Sequence, residues 1–155
     1  MSSITSTVAV NATLAAAWEA ISHLGRVQRW NPLVKRAQVL SAEPTGVGAR
    51  RRCELHDGTS VVETVTASKE GETVQIEMSE FSMPFNRATA LTRVKELGPE
   101  HVEISFTFDF DVKDGMDAEM VKPAMSNLFA QVLAGLDQHL FTGELIEDVG
   151  SLTAA

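Results

Sequence analysis

The chain has 155 residues, with 21 acidic against 13 basic side chains and a net charge of −8; 44% of it is hydrophobic, and its aromatics are 7 Phe, 2 Trp and no Tyr. That length and apolar content fit one domain with a real core, expected over residues 1–143 with a short tail at 144–155. The acidic balance excludes a nucleic-acid binder and argues against stable membrane association, since both want a basic face, and the lack of Tyr removes phenol chemistry.

Residues 3–10 alternate, with Ile4, Ser6, Val8 and Val10 on one face, and read as a strand. Asn11 or Thr13 then caps a helix over about 13–23, with Leu14, Trp18 and Ile21 on its apolar stripe and Gly25 ending it. Residues 26–31 make at most a short second helix, stopped by Pro32. The period then switches to two. Strands are expected at 35–41, 48–56, 59–68, 72–80, 86–96 and 101–112, separated by turn residues such as Pro44-Thr45-Gly46, Asp57-Gly58, Glu70-Gly71 and Gly98-Pro99. The last strand is the clearest: Val102, Ile104, Phe106, Phe108 and Phe110 share one face. From about 117 to 142 the period returns to 3.6, along Val121, Met125, Leu128, Val132, Leu136 and Leu140, widened by Phe129 and Leu133. Pro123 predicts a regular helix starting near Lys122, or a kink there, and Gly143 is a C-cap candidate.

This order predicts an α+β chain: one curved antiparallel sheet of six or seven strands wrapped round a long C-terminal helix, with two short helices after the first strand. Such a sheet need not fill its own core, which leaves room for a cavity between sheet and helix. A lipocalin-type barrel is the rival, disfavoured by the early helix and the long C-terminal stripe.

Residues 12–40 carry a resemblance. A helix with Trp18 is followed a dozen residues later by Trp30-Asn31-Pro32, and Gly46-Val47-Gly48-Ala49-Arg50 and HVEISFTFDFDV come after them. These motifs resemble the helix-grip fold of the SRPBCC superfamily, which includes START lipid-transfer domains and polyketide cyclase/dehydrase-like proteins. The resemblance implies a small hydrophobic or amphipathic ligand held in the sheet–helix cavity by a carrier or sensor. A cyclase or dehydratase acting on a cyclic apolar substrate is the alternative, and a protein-interaction module the second.

The ligand-facing candidates are Trp30, the cluster Phe81, Met83 and Phe85, the strand residues Phe106, Phe108 and Phe110, and Met125, Phe129, Val132, Leu133 and Leu136 of the long helix. Each also reads as ordinary core or, for the Phe81–Phe85 cluster around Pro84, as a bulge packed under the helix. Arg51, Glu63 and His101 are the candidates for catalysis. A two-residue turn at Asp57-Gly58 sets Arg52 opposite Glu63, however, which makes an exposed cross-strand pair worth under ~1 kcal/mol the favoured reading. Two inward-facing titratable groups within hydrogen-bond reach of each other would instead favour the enzyme.

The single cysteine, Cys53, permits no intrachain disulfide and reads as a small core residue. The histidines His23, His56, His101 and His139 show no metal-ligand spacing, so neither metal nor cofactor is expected. The N-terminus lacks a signal-peptide pattern and no apolar run reaches the ~20 residues of a membrane span. A cytoplasmic location is expected, and a homodimer is compatible with the sequence.

Overall fold

The computed structural model describes residues 1–81 and 85–142. Strand β1 (Ser2–Val10) leads into helix α1 (Leu14–Ser22) and a 3-10 helix (Leu24–Arg29). Six strands follow: β2 (Val34–Val39), β3 (Arg50–Leu55), β4 (Ser60–Lys69), β5 (Thr73–Ser79), β6 (Phe85–Gly98) and β7 (His101–Val112). Helix α2 (Ala118–Thr142) comes after them. The expected element order is therefore present, with seven strands.

All strand pairs are antiparallel, in the order β1-β7-β6-β5-β4-β3-β2. The six sequential strands from β2 to β7 form a meander, and β1 closes onto β7. The α1 and 3-10 segment carries the chain from the β1 edge to the opposite edge of the sheet. Alternation along β7 is strict: Val102, Ile104, Phe106, Phe108 and Phe110 are all buried, and the residues between them are half-buried. Burying each Phe fully contributes roughly 1.5–3 kcal/mol.

Local chemistry sets the helix ends. Thr13 Oγ1 accepts from Ala16 N and is the N-cap of α1, settling the choice between Asn11 and Thr13. Helix α1 stops at Ser22, before Gly25, which falls inside the 3-10 helix. Helix α2 begins one turn earlier than Pro123 suggested. The Asp117 Oδ1 accepts from Glu119 N at the helix start, and Pro123 then sits as the sixth residue of the helix. The expected cap at Gly143 lies outside the described residues.

One glycine is required by packing. A Cβ on Gly135 of α2 would lie 2.3 Å from the Trp30 carbonyl oxygen and 2.7 Å from Pro32 Cδ. The absent side chain lets the Trp30–Pro32 segment lie directly against α2.

Candidate functional site

Between the inner face of the sheet and α2 lies a cavity of about 150 Å³. Its wall comes from many elements: Ile21 of α1, Val27, Trp30 and Leu33 beyond it, strand residues of β2 to β7, and Met125, Leu128, Phe129 and Val132 of α2. Asn31, Leu33, Leu55, Met78, Ala90, Met125, Leu128 and Phe129 of this wall are half-buried. Trp30 is fixed in the wall by its own polar handle: Nε1 donates to the Ala20 carbonyl at 2.9 Å, while the ring lies 6.5 Å from Phe106. Phe129 reaches down from α2 to Phe108, centroid to centroid 4.9 Å.

One charged cluster interrupts this apolar wall. Arg51 and Glu63 are paired across β3 and β4, and both face inward at 6% and 9% exposure. Arg51 Nε donates to Glu63 Oε1 at 2.8 Å, and Nη1 donates to the Leu24 carbonyl at 3.1 Å. Cys53 Sγ donates to the same Glu63 oxygen at 3.2 Å. These bonds engage Nε, Nη1 and Oε1, leaving Arg51 Nη2 and Glu63 Oε2 outside the cluster. Thr92 and Asn31 are the neutral polar side chains of the wall.

The expected exposed Arg52–Glu63 pair is thus overturned, and the reason is local. The β3–β4 loop holds three residues, His56, Asp57 and Gly58, not two. Leu55 N bonds the Thr59 carbonyl at 2.9 Å, and Gly58 closes the turn at φ 88°. This is the hairpin form in which a turn is followed by a left-handed glycine. Asp57 stiffens it by accepting from Thr59 N at 2.9 Å and from Thr59 Oγ1 at 2.6 Å. The extra residue moves the register by one, and a slip of one reverses every side chain. Glu63 therefore turns inward opposite Arg51, while Arg52 stays outward, with Nη2 4.0 Å from Glu80.

The environment dictates the charge states. Burial by itself would lower the Arg51 pKa, but the Glu63 carboxylate outweighs it and holds the guanidinium firmly protonated. Burial, reinforced by Glu63, pushes the Cys53 thiol far above its ordinary value, so the sulfur stays protonated and is no nucleophile. The cavity thus offers fixed hydrogen-bonding groups in an apolar box.

Comparison with known proteins places this architecture. The sequence profile of the family described as polyketide cyclase / dehydrase and lipid transport matches residues 1–140. The chain belongs to that family. A search of curated proteins finds no match. Among solved structures, an uncharacterised protein from Bacillus thuringiensis superposes with a TM-score of 0.80 at 13% identity, covering 90% of this chain and 99% of that one. A START superfamily protein from Mycobacterium smegmatis gives 0.78 at 17% identity, covering 89% and 96%. A protein from Thermobifida fusca gives 0.75 at 23% identity, covering 90% and 93%. These likenesses establish the helix-grip fold.

Within this family member, the candidate residues divide. Trp30, Phe106, Phe108, Met125, Phe129 and Val132 line the cavity, together with Arg51 and Glu63. Phe85 and Phe110 do not: they pack edge-to-face at 5.4 Å in a second core cluster, which they share with Phe108. Leu133 and Leu136 of α2 are filled core. Phe81 is half-buried against both clusters, so no exposed patch of the kind an interaction module needs is formed by Phe81 and Phe85. Met83 and Pro84 lie outside the described residues. His101 is exposed at the β6–β7 turn, its Nδ1 3.2 Å from Asn11 Oδ1, and is remote from the cavity. Thr92, Asn31 and the cavity role of Cys53 were missed. For Cys53 a signal existed, since it shares a strand face with Arg51.

Among the described residues, no group of His, Cys, Asp and Glu could hold a metal ion, and no helix is long and apolar enough to cross a membrane.

Proposed function

We propose that this protein binds a small, mostly apolar molecule between sheet and α2, as a cytoplasmic carrier or sensor, with the Arg51–Glu63 pair as its polar anchor. The observation that carries this reading is the apolar cavity with a single ion-paired cluster in its wall. An apolar cavity of this size, about 150 Å³, is large enough for a single six-membered ring. Ligand pockets for drug-sized molecules run to ~300 Å³ and above, so a ligand as bulky as a polycyclic lipid would have to push α2 and the sheet apart. Membership in a family described by cyclase, dehydrase and lipid-transport activities is consistent with such a ligand.

Native mass spectrometry of the purified protein, followed by titration of Trp30 fluorescence with toluene in a Trp18→Phe background, tests it. A co-purifying mass or a saturable change supports the reading; absence of both refutes it.

The second reading is a cyclase or dehydratase. It is favoured by one observation: two inward-facing ionisable groups lie within hydrogen-bond reach. The chemistry available to them tells against it. A guanidinium does not release its proton near neutral pH, Glu63 Oε1 is already shared by two donors, and His101 is too remote to relay a proton. Catalysed dehydration of a small cyclic β-hydroxyketone, lost in Glu63→Gln while binding persists, would establish this second reading over the first.

A further inference from the structure

We propose that the Arg51–Glu63 pair makes the cavity selective for neutral ligands, namely ring-sized apolar molecules that carry one hydroxyl group, and that it excludes carboxylates. This rests on the binding reading above and names its ligand class.

The argument is one of charge balance. Arg51 is the only cation among the described residues of the wall, and Glu63 the only anion. They stand 2.8 Å apart at 7% and 11% side-chain exposure, so the wall is locally neutral before any ligand arrives. A carboxylate entering this space would find its cation already paired and a second carboxylate beside it. One negative charge would then be buried without compensation, which a low-dielectric site strongly disfavours. The remaining polar wall groups, Thr92 and Asn31, are neutral and cannot balance it.

A hydroxyl fits the same place. It is donor and acceptor at once. The cluster's internal bonds leave Glu63 Oε2 as an acceptor and Arg51 Nη2 as a donor, and a hydroxyl can serve both with no change in net charge. The apolar remainder of the ligand then meets Trp30, Phe106 and Phe129.

Three probes of one ring size separate these terms: toluene, benzyl alcohol and benzoate, titrated by calorimetry against the full chain. Benzyl alcohol is expected to bind about tenfold more tightly than toluene, the worth of one hydrogen bond to a charged group, and benzoate more weakly than toluene. In Glu63→Gln the Arg51 charge loses its partner, so benzoate affinity should rise by at least about tenfold and overtake benzyl alcohol. Benzoate binding to the wild type as tightly as benzyl alcohol, or no gain for benzoate in Glu63→Gln, overturns the proposal. Toluene bound as well as benzyl alcohol overturns the selectivity while leaving the binding reading intact; failure of all three probes removes both. Should Glu63→Gln not fold, the double variant Arg51→Met/Glu63→Leu decides: it should keep toluene and lose the preference for benzyl alcohol, and a retained preference overturns the proposal.

Discussion

Arg51 and Glu63 face each other across β3 and β4, 2.8 Å apart, inside a cavity whose other walls are almost wholly apolar. Neither charge is stable there alone. Each is tolerated because the other neutralises it, and because Leu24 and Cys53 supply further hydrogen bonds.

Removing one partner should therefore cost far more than removing both. Arg51→Met leaves Glu63 buried without a cation, and a loss of about 3–5 kcal/mol is expected in urea unfolding. Arg51→Met/Glu63→Leu should recover most of that loss, because a well-packed apolar pair often matches a buried ion pair. A double variant no better than the single one would contradict this account.

Gly135→Ala sets two effects against each other. Alanine favours a helix over glycine by about 1 kcal/mol. The new Cβ, however, would lie 2.3 Å from the Trp30 carbonyl oxygen, which is backbone and cannot swing aside. The clash should win, with a net loss of about 1–3 kcal/mol and a red shift of Trp30 emission as the Trp30–Pro32 segment lifts from α2. An unchanged or raised melting temperature would show that the segment yields freely.

Cys53 should be inert in the native protein. Burial and Glu63 hold its thiol protonated, so iodoacetamide at about pH 8 should label it only after unfolding. The same shift predicts alkaline sensitivity. An unfolded thiol ionises near pH ~8.5, whereas the folded one keeps its proton. The stability it contributes is thus complete below that pH and is lost as pH rises beyond it. Cys53→Ala should remove this part of the alkaline slope, read from unfolding curves at stepped pH.

The β3–β4 loop should control the site from outside it. Gly58 sits at φ 88°, where an L side chain is strained, and Gly58→Ala should cost about 1–2 kcal/mol by thermal unfolding. Hydrogen bonds from Thr59 hold the Asp57 carboxyl below its ordinary pKa. Its support for the loop is present above the unfolded carboxyl pKa of about 3.9 and fades as pH falls through the lower folded value. Asp57→Ala should flatten that acid limb.

The seven strands and helices α1 and α2 follow from patterns within a few residues: alternation in β7 and the 3.6 period in α2. These are local, so the residues alone determined them, together with the acidic solvated exterior. Phe108 and Phe110 show where that stops. They share a face two residues apart and one core cluster, and are indistinguishable by period, yet Phe108 also lines the cavity and Phe110 does not, because how far the cavity runs along a strand is set by the packing of other elements. The Asp57-Gly58 turn shows it again. The same dipeptide serves a two-residue and a three-residue loop, and only the folded pairing of β3 with β4 selected the latter. That one-residue difference turned Glu63 inward beside Arg51. The charge at the heart of the site was thus decided by tertiary register.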